Sequence, residues 1–205
     1  DSLAAAPCLT GICLFIGDVG DNTRTRESVR VFRIPEPDLS GKPVHATTFP
    51  FAYPDGPHDA EAIFVLPGEQ LYVITKGRSE PLTLYRYPGA LDSTRTAILQ
   101  PVQQFSESFV QLPDMITGAG ATPDGRAIVI RTYSSVQLYR RDGHQLHPIL
   151  PGRGIDLAST GEFQGEGVDI ASDGTILLVS EKGFDESNAP ISLLKCDLQD
   201  RSERQ

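Results

Sequence analysis

At 205 residues, with 39% hydrophobic and 22% charged residues, the chain has the size and composition of one soluble globular domain that can bury a core. Its 27 acidic against 18 basic residues give a formal net charge of −9. This argues against a nucleic-acid partner, which needs a clustered basic surface, and is compatible with cation binding or plain solubility. No apolar run approaches the ~20 residues of a membrane span.

The chain opens at Asp1 without a Met, and a processed product or fragment is expected. Cys8 and Cys13 flank Leu-Thr-Gly-Ile, where a turn brings them together, and a disulfide between them is predicted. That pairing implies an oxidising, extracytoplasmic location: secreted, periplasmic or at the cell surface. Cys196 is left over, as a buried thiol or as the partner of another segment.

Helical periodicity is scarce. Runs of roughly 4–8 residues rich in Val, Ile, Leu, Tyr and Thr are broken by Gly, Pro, Asp and Ser, as strands and turns require. The first module shows strands over Cys13–Ile16, Val29–Ile34 and Thr47–Tyr53, with no clear opening strand. The second predicts strands over Ala60–Leu66, Leu71–Thr75 and Leu82–Tyr87, then a polar outer strand from Thr96 to Phe105. The third reads as Thr117–Ala121, Ala127–Thr132 and Val136–Arg140, the fourth as Gly167–Ala171, Ile176–Ser180 and Ile191–Cys196. Asp124-Gly125 and Asp173-Gly174 suit the hairpin turns between them.

One phrase recurs through these modules. Leu71-Tyr72-Val73-Ile74-Thr75-Lys76-Gly77 is echoed by Leu177-Leu178-Val179-Ser180-Glu181-Lys182-Gly183, and more loosely by Leu14–Gly20 and Ala127–Tyr133. A period of roughly 50 residues marks an array, and strand–turn–strand–loop–strand is the grammar of a propeller blade. The fold expected is therefore an all-β propeller forming one domain over residues 1–205, its modules near 1–53, 54–105, 106–160 and 161–205. A β-sandwich is the competing reading, but gives no reason to repeat the same wording. The incomplete first module suggests a ring truncated, or closed by missing or partner sequence, with an open edge suited to homo-oligomeric assembly. Phe32, Tyr85 and Tyr139 recur in the third strands and are expected to pack between blades.

Aligned modules place polar residues in rings: Glu61, Thr117 and Glu166; then Asp18, Thr75, Arg131 and Glu181; then Lys76, Thr132 and Lys182. Asp18, Asp21, Glu61, Glu166 and Glu181 are candidate metal ligands, since carboxylate oxygens suit calcium. Arg131, Lys76 and Lys182 in the same rings offer the alternative of mutual neutralisation. Gly17-Asp18-Val19-Gly20-Asp21-Asn22 reads either as a cation-binding loop or as a turn whose Asp and Asn cap backbone amides. His58 and Asp59, leading into Glu61, place an imidazole at the channel mouth as ligand, acid/base or hydrogen-bonding element. The chain lacks a Gly-x-Ser-x-Gly elbow, a phosphate loop, a dinucleotide fingerprint and His-Glu-x-x-His.

Ile16–Asn22 (IGDVGDN), Pro54–Ala62 (PDGPHDAEA), Leu71–Gly77, Pro123–Tyr133 and Gly165–Gly183 together resemble uncharacterised secreted bacterial β-propeller proteins. That group is loosely similar to phytase-like and esterase-like propellers. The resemblance implies channel-mouth carboxylates that bind calcium and phosphate, and Glu166 and Glu181 match its blade pattern. Three functions follow as expectations: an extracellular binding or scaffold module holding a cation or small ligand, a calcium-dependent phosphoester or ester hydrolase, or a subunit assembling through its open edge.

Overall fold

The computed structural model describes residues 2–9, 11–38, 40–150, 152, 154–183 and 189–198. Asp1 and the part of the fourth module beyond residue 198 lie outside them. The described residues form four antiparallel-based sheets arranged in a ring as a four-blade β-propeller, with a single short 3₁₀ turn at Ala158–Thr160.

Blade 1 contains β1 (Ser2–Cys8), β2 (Gly11–Asp18), β3 (Val29–Pro35) and β4 (Thr47–Ala52). β1 is the opening strand that sequence reading missed. Its small residues carry little β-propensity, but Ala4 and Ala6 alternate inward and pack in the core while β1 pairs along the whole of β2. The Cys8–Cys13 disulfide ties this hairpin, with Cα atoms 5.8 Å apart, and Cys196 is a free, partly exposed thiol.

Blade 2 begins with β5 (Ala60–Leu66), β6 (Gln70–Thr75) and β7 (Pro81–Arg86). The single outer strand expected from Thr96 to Phe105 is instead divided. β8 (Ala97–Ile98) joins β4 of blade 1 in parallel, and β9 (Gln100–Phe109) closes blade 2 beside β7. The reason is Leu99: it is buried between blades 1 and 2, so the chain dives into that interface and changes sheets there.

Blade 3 holds β10 (Ile116–Ala121), β11 (Ala127–Thr132), β12 (Ser135–Asp142), β13 (Gln145–Pro148) and β14 (Ile155–Asp156). Blade 4 holds β15 (Gln164–Ile170), β16 (Thr175–Glu181) and β17 (Ile191–Lys195). The expected Asp-Gly turns are present, with Gly125 and Gly174 at positive φ, where glycine carries no Cβ penalty.

β1, β5, β10 and β15 are the inner strands. Cores lie between successive blades. Phe15, Val31 and Phe51 meet Ile63, Leu71, Val73 and Tyr85 between blades 1 and 2. Phe64, Tyr72 and Ile74 meet Ile128 and Ile130 between blades 2 and 3, and Val129, Val136 and Leu138 meet Val168, Ile176 and Leu178 between blades 3 and 4. Each such aliphatic side chain contributes roughly 1.5–3 kcal/mol of burial. Of the three recurrent aromatics, Tyr85 is buried between blades, Tyr139 is half-buried against Phe105, and Phe32 is half-buried opposite the exposed Ile16 rather than in a core between blades.

The disulfide closes a short loop, so its loss relaxes few unfolded states. Cys8→Ala with Cys13→Ala is expected to cost about 2 kcal/mol, and to lower Tm by roughly 4–8 °C by calorimetry. An unchanged Tm would show that the β1–β2 ladder alone holds the hairpin.

Candidate functional site

Three inner strands carry a β-bulge at the same place. The ladders skip a residue between Ala60 and Ala62, between Ile116 and Gly118, and between Gly165 and Gly167. The residues skipped are Glu61, Thr117 and Glu166, the first of the rings expected from sequence. A bulge re-aims one side chain without ending the strand, and here it does so in three successive blades.

Around these residues a polar cluster forms at the ring centre. Lys76, just past the end of β6, donates from Nζ to Glu61 Oε1 at 3.1 Å, both side chains nearly buried, and lies 5.9 Å from the centre of the Tyr133 ring. Glu166 interacts electrostatically with Lys76, Glu61 and Glu181, and its Oε1 accepts from Gln164 Nε2 at 2.6 Å. Burial pushes the Glu166 carboxyl up, and the neighbouring Glu61 and Glu181 charges add to that. Burial also acts on Glu61, but its cationic surroundings, Lys76 among them, outweigh it and hold the carboxyl below its usual range. Lys76 is raised, because Glu61 more than offsets desolvation of the ammonium. Thr117 is 3% exposed and its Oγ1 has no hydrogen-bond partner. A buried hydroxyl without a partner is costly unless something else satisfies it.

The other sequence candidates lie elsewhere. Arg131 does not line the channel. The pairing places Thr132 and Ser180, rather than Arg131 and Glu181, opposite the residue before each bulge, where Thr75 stands in blade 2. A one-residue step along a strand reverses the face, so Arg131 turns into the core between blades 3 and 4. There it donates to Glu162 Oε2 at 2.6 Å and to the carbonyls of Gly167 and Val179, with side-chain exposures of 0% and 3% for the ion pair. A Cβ on Gly165 would overlap the guanidinium, so glycine is required at that position. Glu181 stays near the central cluster, while Lys182 is exposed beyond the end of β16.

The Gly17–Asn22 segment ends β2 and runs into a capped turn. Asp21 accepts from the Arg26 backbone N–H at 2.7 Å and from the Thr23 hydroxyl, and Asn22 is exposed. Asp18 is held by Arg26 and Arg30, both at 2.8 Å, and the Arg26 hydrogen bond leads in keeping its carboxyl below the usual range. Asp18 and Asp21 therefore have internal partners, and among the described residues no group of three His, Cys, Asp or Glu side chains is placed to hold a metal.

His58 belongs to a separate network between blades 1 and 2. Its Nδ1 bonds Glu80 Oε2, and its Nε2 bonds Asp55 Oδ1 at 2.9 Å and the Tyr85 hydroxyl at 3.2 Å. Tyr53 packs edge-on against the imidazole, its phenol pushed up by burial. Asp59 Oδ1 accepts the Asp21 backbone N–H at 2.9 Å, joining the two blades. The sequence singles out His58 and Asp59, and Tyr85 as an aromatic between blades, but no local motif connects Tyr53, Glu80 or Tyr85 to His58. The arrangement locks an inter-blade joint.

No family model matches the chain, and no curated protein sequence matches it. Among solved structures, it is similar to a protein of Bacteroides uniformis described as a "putative 6-phosphogluconolactonase", at 9% identity and a TM-score of 0.54, covering 96% of this chain and 68% of that one. It is also similar to a hemopexin-fold protein from cow pea, at 10% identity and a TM-score of 0.45, covering 94% of this chain and 92% of that one. The PQQ-bound aldose sugar dehydrogenase of Streptomyces coelicolor gives 11% identity and a TM-score of 0.45, covering 95% and 94%. At these identities the likeness speaks to fold alone.

Two outcomes test the assignments of Arg131 and His58. Glu162→Ala leaves a buried guanidinium without its counter-ion and is expected to cost about 3–5 kcal/mol in chemical denaturation, whereas Arg131→Leu with Glu162→Leu is far milder. For His58, burial lowers the pKa, but Glu80 and Asp55 outweigh it and the net shift is upward. A folded-state value above the unfolded one stabilises fully below about pH 6.5, and that contribution is lost as pH rises through the folded-state value. His58→Gln removes this dependence, so the stability gap between wild type and variant is expected to be widest at low pH and to narrow on going alkaline; a gap constant with pH contradicts the assignment.

Proposed function

We propose that the protein is an extracytoplasmic binding module, and that the cluster of Glu61, Lys76, Thr117, Glu166 and Glu181 holds a small cationic group. The observation that carries this reading is the bulge repeated in three blades, which turns two carboxylates and a hydroxyl toward one point. Scaffolding alone is served by an unbroken ladder with apolar residues there. Charge supports the same reading: Lys76 is engaged with Glu61, while Glu166 feels the like charges of Glu61 and Glu181. A bound cation would offset the burial and the like charges that raise Glu166 and would leave the Lys76–Glu61 pair undisturbed. The Cys8–Cys13 disulfide supports the compartment, since such bonds persist under oxidising conditions.

An organic ammonium suits the cluster better than a metal ion such as calcium, for which no three carboxylates are placed among the described residues, and one experiment separates them. Calorimetric titration with methylammonium and, separately, with calcium chloride is expected to show millimolar binding of one of them, as suits so small a ligand. Glu166→Gln is expected to weaken it by on the order of tenfold, about the worth of one charge-assisted contact. Absence of binding by either cation, or binding indifferent to Glu166→Gln, overturns the reading.

A further inference from the structure

Among the described residues, the sheet-to-sheet packing that joins blades 1 to 2, 2 to 3 and 3 to 4 has no counterpart between blades 4 and 1. Two residues past each bulge stand Ile63, Ala119 and Val168, opposite Val73, Ile130 and Leu178, all buried between blades. The repeated phrase puts Ile16 at this position in blade 1, where it is exposed, with Phe32 opposite it. On the facing wall, Leu177 and Val179 of β16 are also exposed, and Ile191 and Leu193 continue the patch at 72% and 68% exposure. Between the walls lies a cleft of about 680 Å³ that reaches inward to Thr117 and Glu166.

We infer that this cleft binds an amphipathic cation, an ammonium head on a straight aliphatic chain, with the head at Glu166 and the chain between the walls. The inference rests on the cation-site reading above and adds the ligand's class. Volume supports a small molecule, since pockets of roughly 300–1,000 Å³ with apolar walls and few polar groups are the usual form of such sites. The walls, with Leu14 and Ile16 on one side and Leu177 and Val179 on the other, offer aliphatic contacts without aromatic rings to stack on. Among the described residues, the ionisable side chains lining the cleft, Glu166 and Asp169, are both acidic, and no lysine or arginine lines it. An anionic amphiphile such as a fatty acid is therefore disfavoured and a cationic one favoured. Thr117, buried and lacking a partner for Oγ1, lies at the same inner end, where that oxygen accepts a hydrogen bond from the ammonium head.

The test is calorimetric titration of the full chain with methylammonium, butylammonium, octylammonium, octanol and octanoate, each below its aggregation threshold. Each buried methylene adds up to about fourfold in affinity, so octylammonium is expected to bind on the order of 100-fold more tightly than butylammonium. Octanol should fall between octylammonium and octanoate. Leu177→Gln on one wall and Ile16→Gln on the other, both at exposed positions, should each cut the butyl-to-octyl gain by about tenfold. If the short amine binds through Glu166 but chain length adds nothing, the inference fails and the cation-site reading stands. If no amine binds, both fail. Octanoate binding as tightly as octylammonium overturns the charge assignment. Light scattering on the same samples decides the remaining alternative: a dimer that excludes octylammonium and dissociates in Leu177→Gln shows that a second copy covers the cleft.

Discussion

One extra residue near the start of the inner strand, repeated in three blades, governs what the centre of this molecule contains. An unbulged strand would alternate regularly and send Glu61, Thr117 and Glu166 to positions set by the ladder. The bulge takes each out of the alternation while the residues on either side remain paired, so the core keeps its register and the centre gains polar groups. Charge balance follows from that. Lys76 is held beside Glu61, and burial together with like charges pushes the Glu166 carboxyl up. An upward-shifted carboxyl and a bulge coincide on one residue, as they do where binding sites are built.

Packing close to the axis demands further concessions from the sequence. Arg131 brings a full charge into the interface between blades 3 and 4, and it is accommodated because Glu162 neutralises it, two carbonyls accept from it, and Gly165 leaves room for the guanidinium. Gly118 and Gly120 serve the same approach from the other side: a Cβ on either would meet the backbone of β15 or the Asp169 side chain. Thus the glycines around the Glu166 bulge are a packing requirement first, and they permit the bulge that aims the carboxylate. The joint between blades 1 and 2 is made differently, with His58, Asp55, Glu80 and Tyr85 linked by hydrogen bonds above an apolar core. The space between blades 4 and 1 has neither kind of joint among the described residues. Its apolar walls end at the polar centre, so cleft and cluster are one continuous surface.

The repeated Leu-Tyr-Val-Ile-Thr-Lys-Gly phrase was enough to establish a propeller of four modules, because period-two alternation and turn chemistry are local properties that each repeat declares again. The disulfide was likewise legible, its cysteines being close in sequence. So was the ring of Glu61, Thr117 and Glu166, whose members stand at matching places before apolar runs. Local reading failed where a residue's role depends on which face it takes or on a distant partner. Arg131 looked equivalent to Thr75 until the ladder showed Thr132 in that position, since a single-residue slip exchanges core for channel. β1 was missed because alanines signal strand only through the neighbour they pair with, and the sheet change at Leu99 because burial between two blades is not written into the strand itself. The Gly17–Asn22 loop has the composition of a cation site, and only the position of Arg26 and Arg30 shows its acids already engaged. Sequence alone therefore determined the fold class, the blade repeat and the polar residues available, all consequences of short-range pattern. Tertiary structure decided which of those residues share a centre and which blades leave a cleft, because both depend on contacts between segments far apart along the chain.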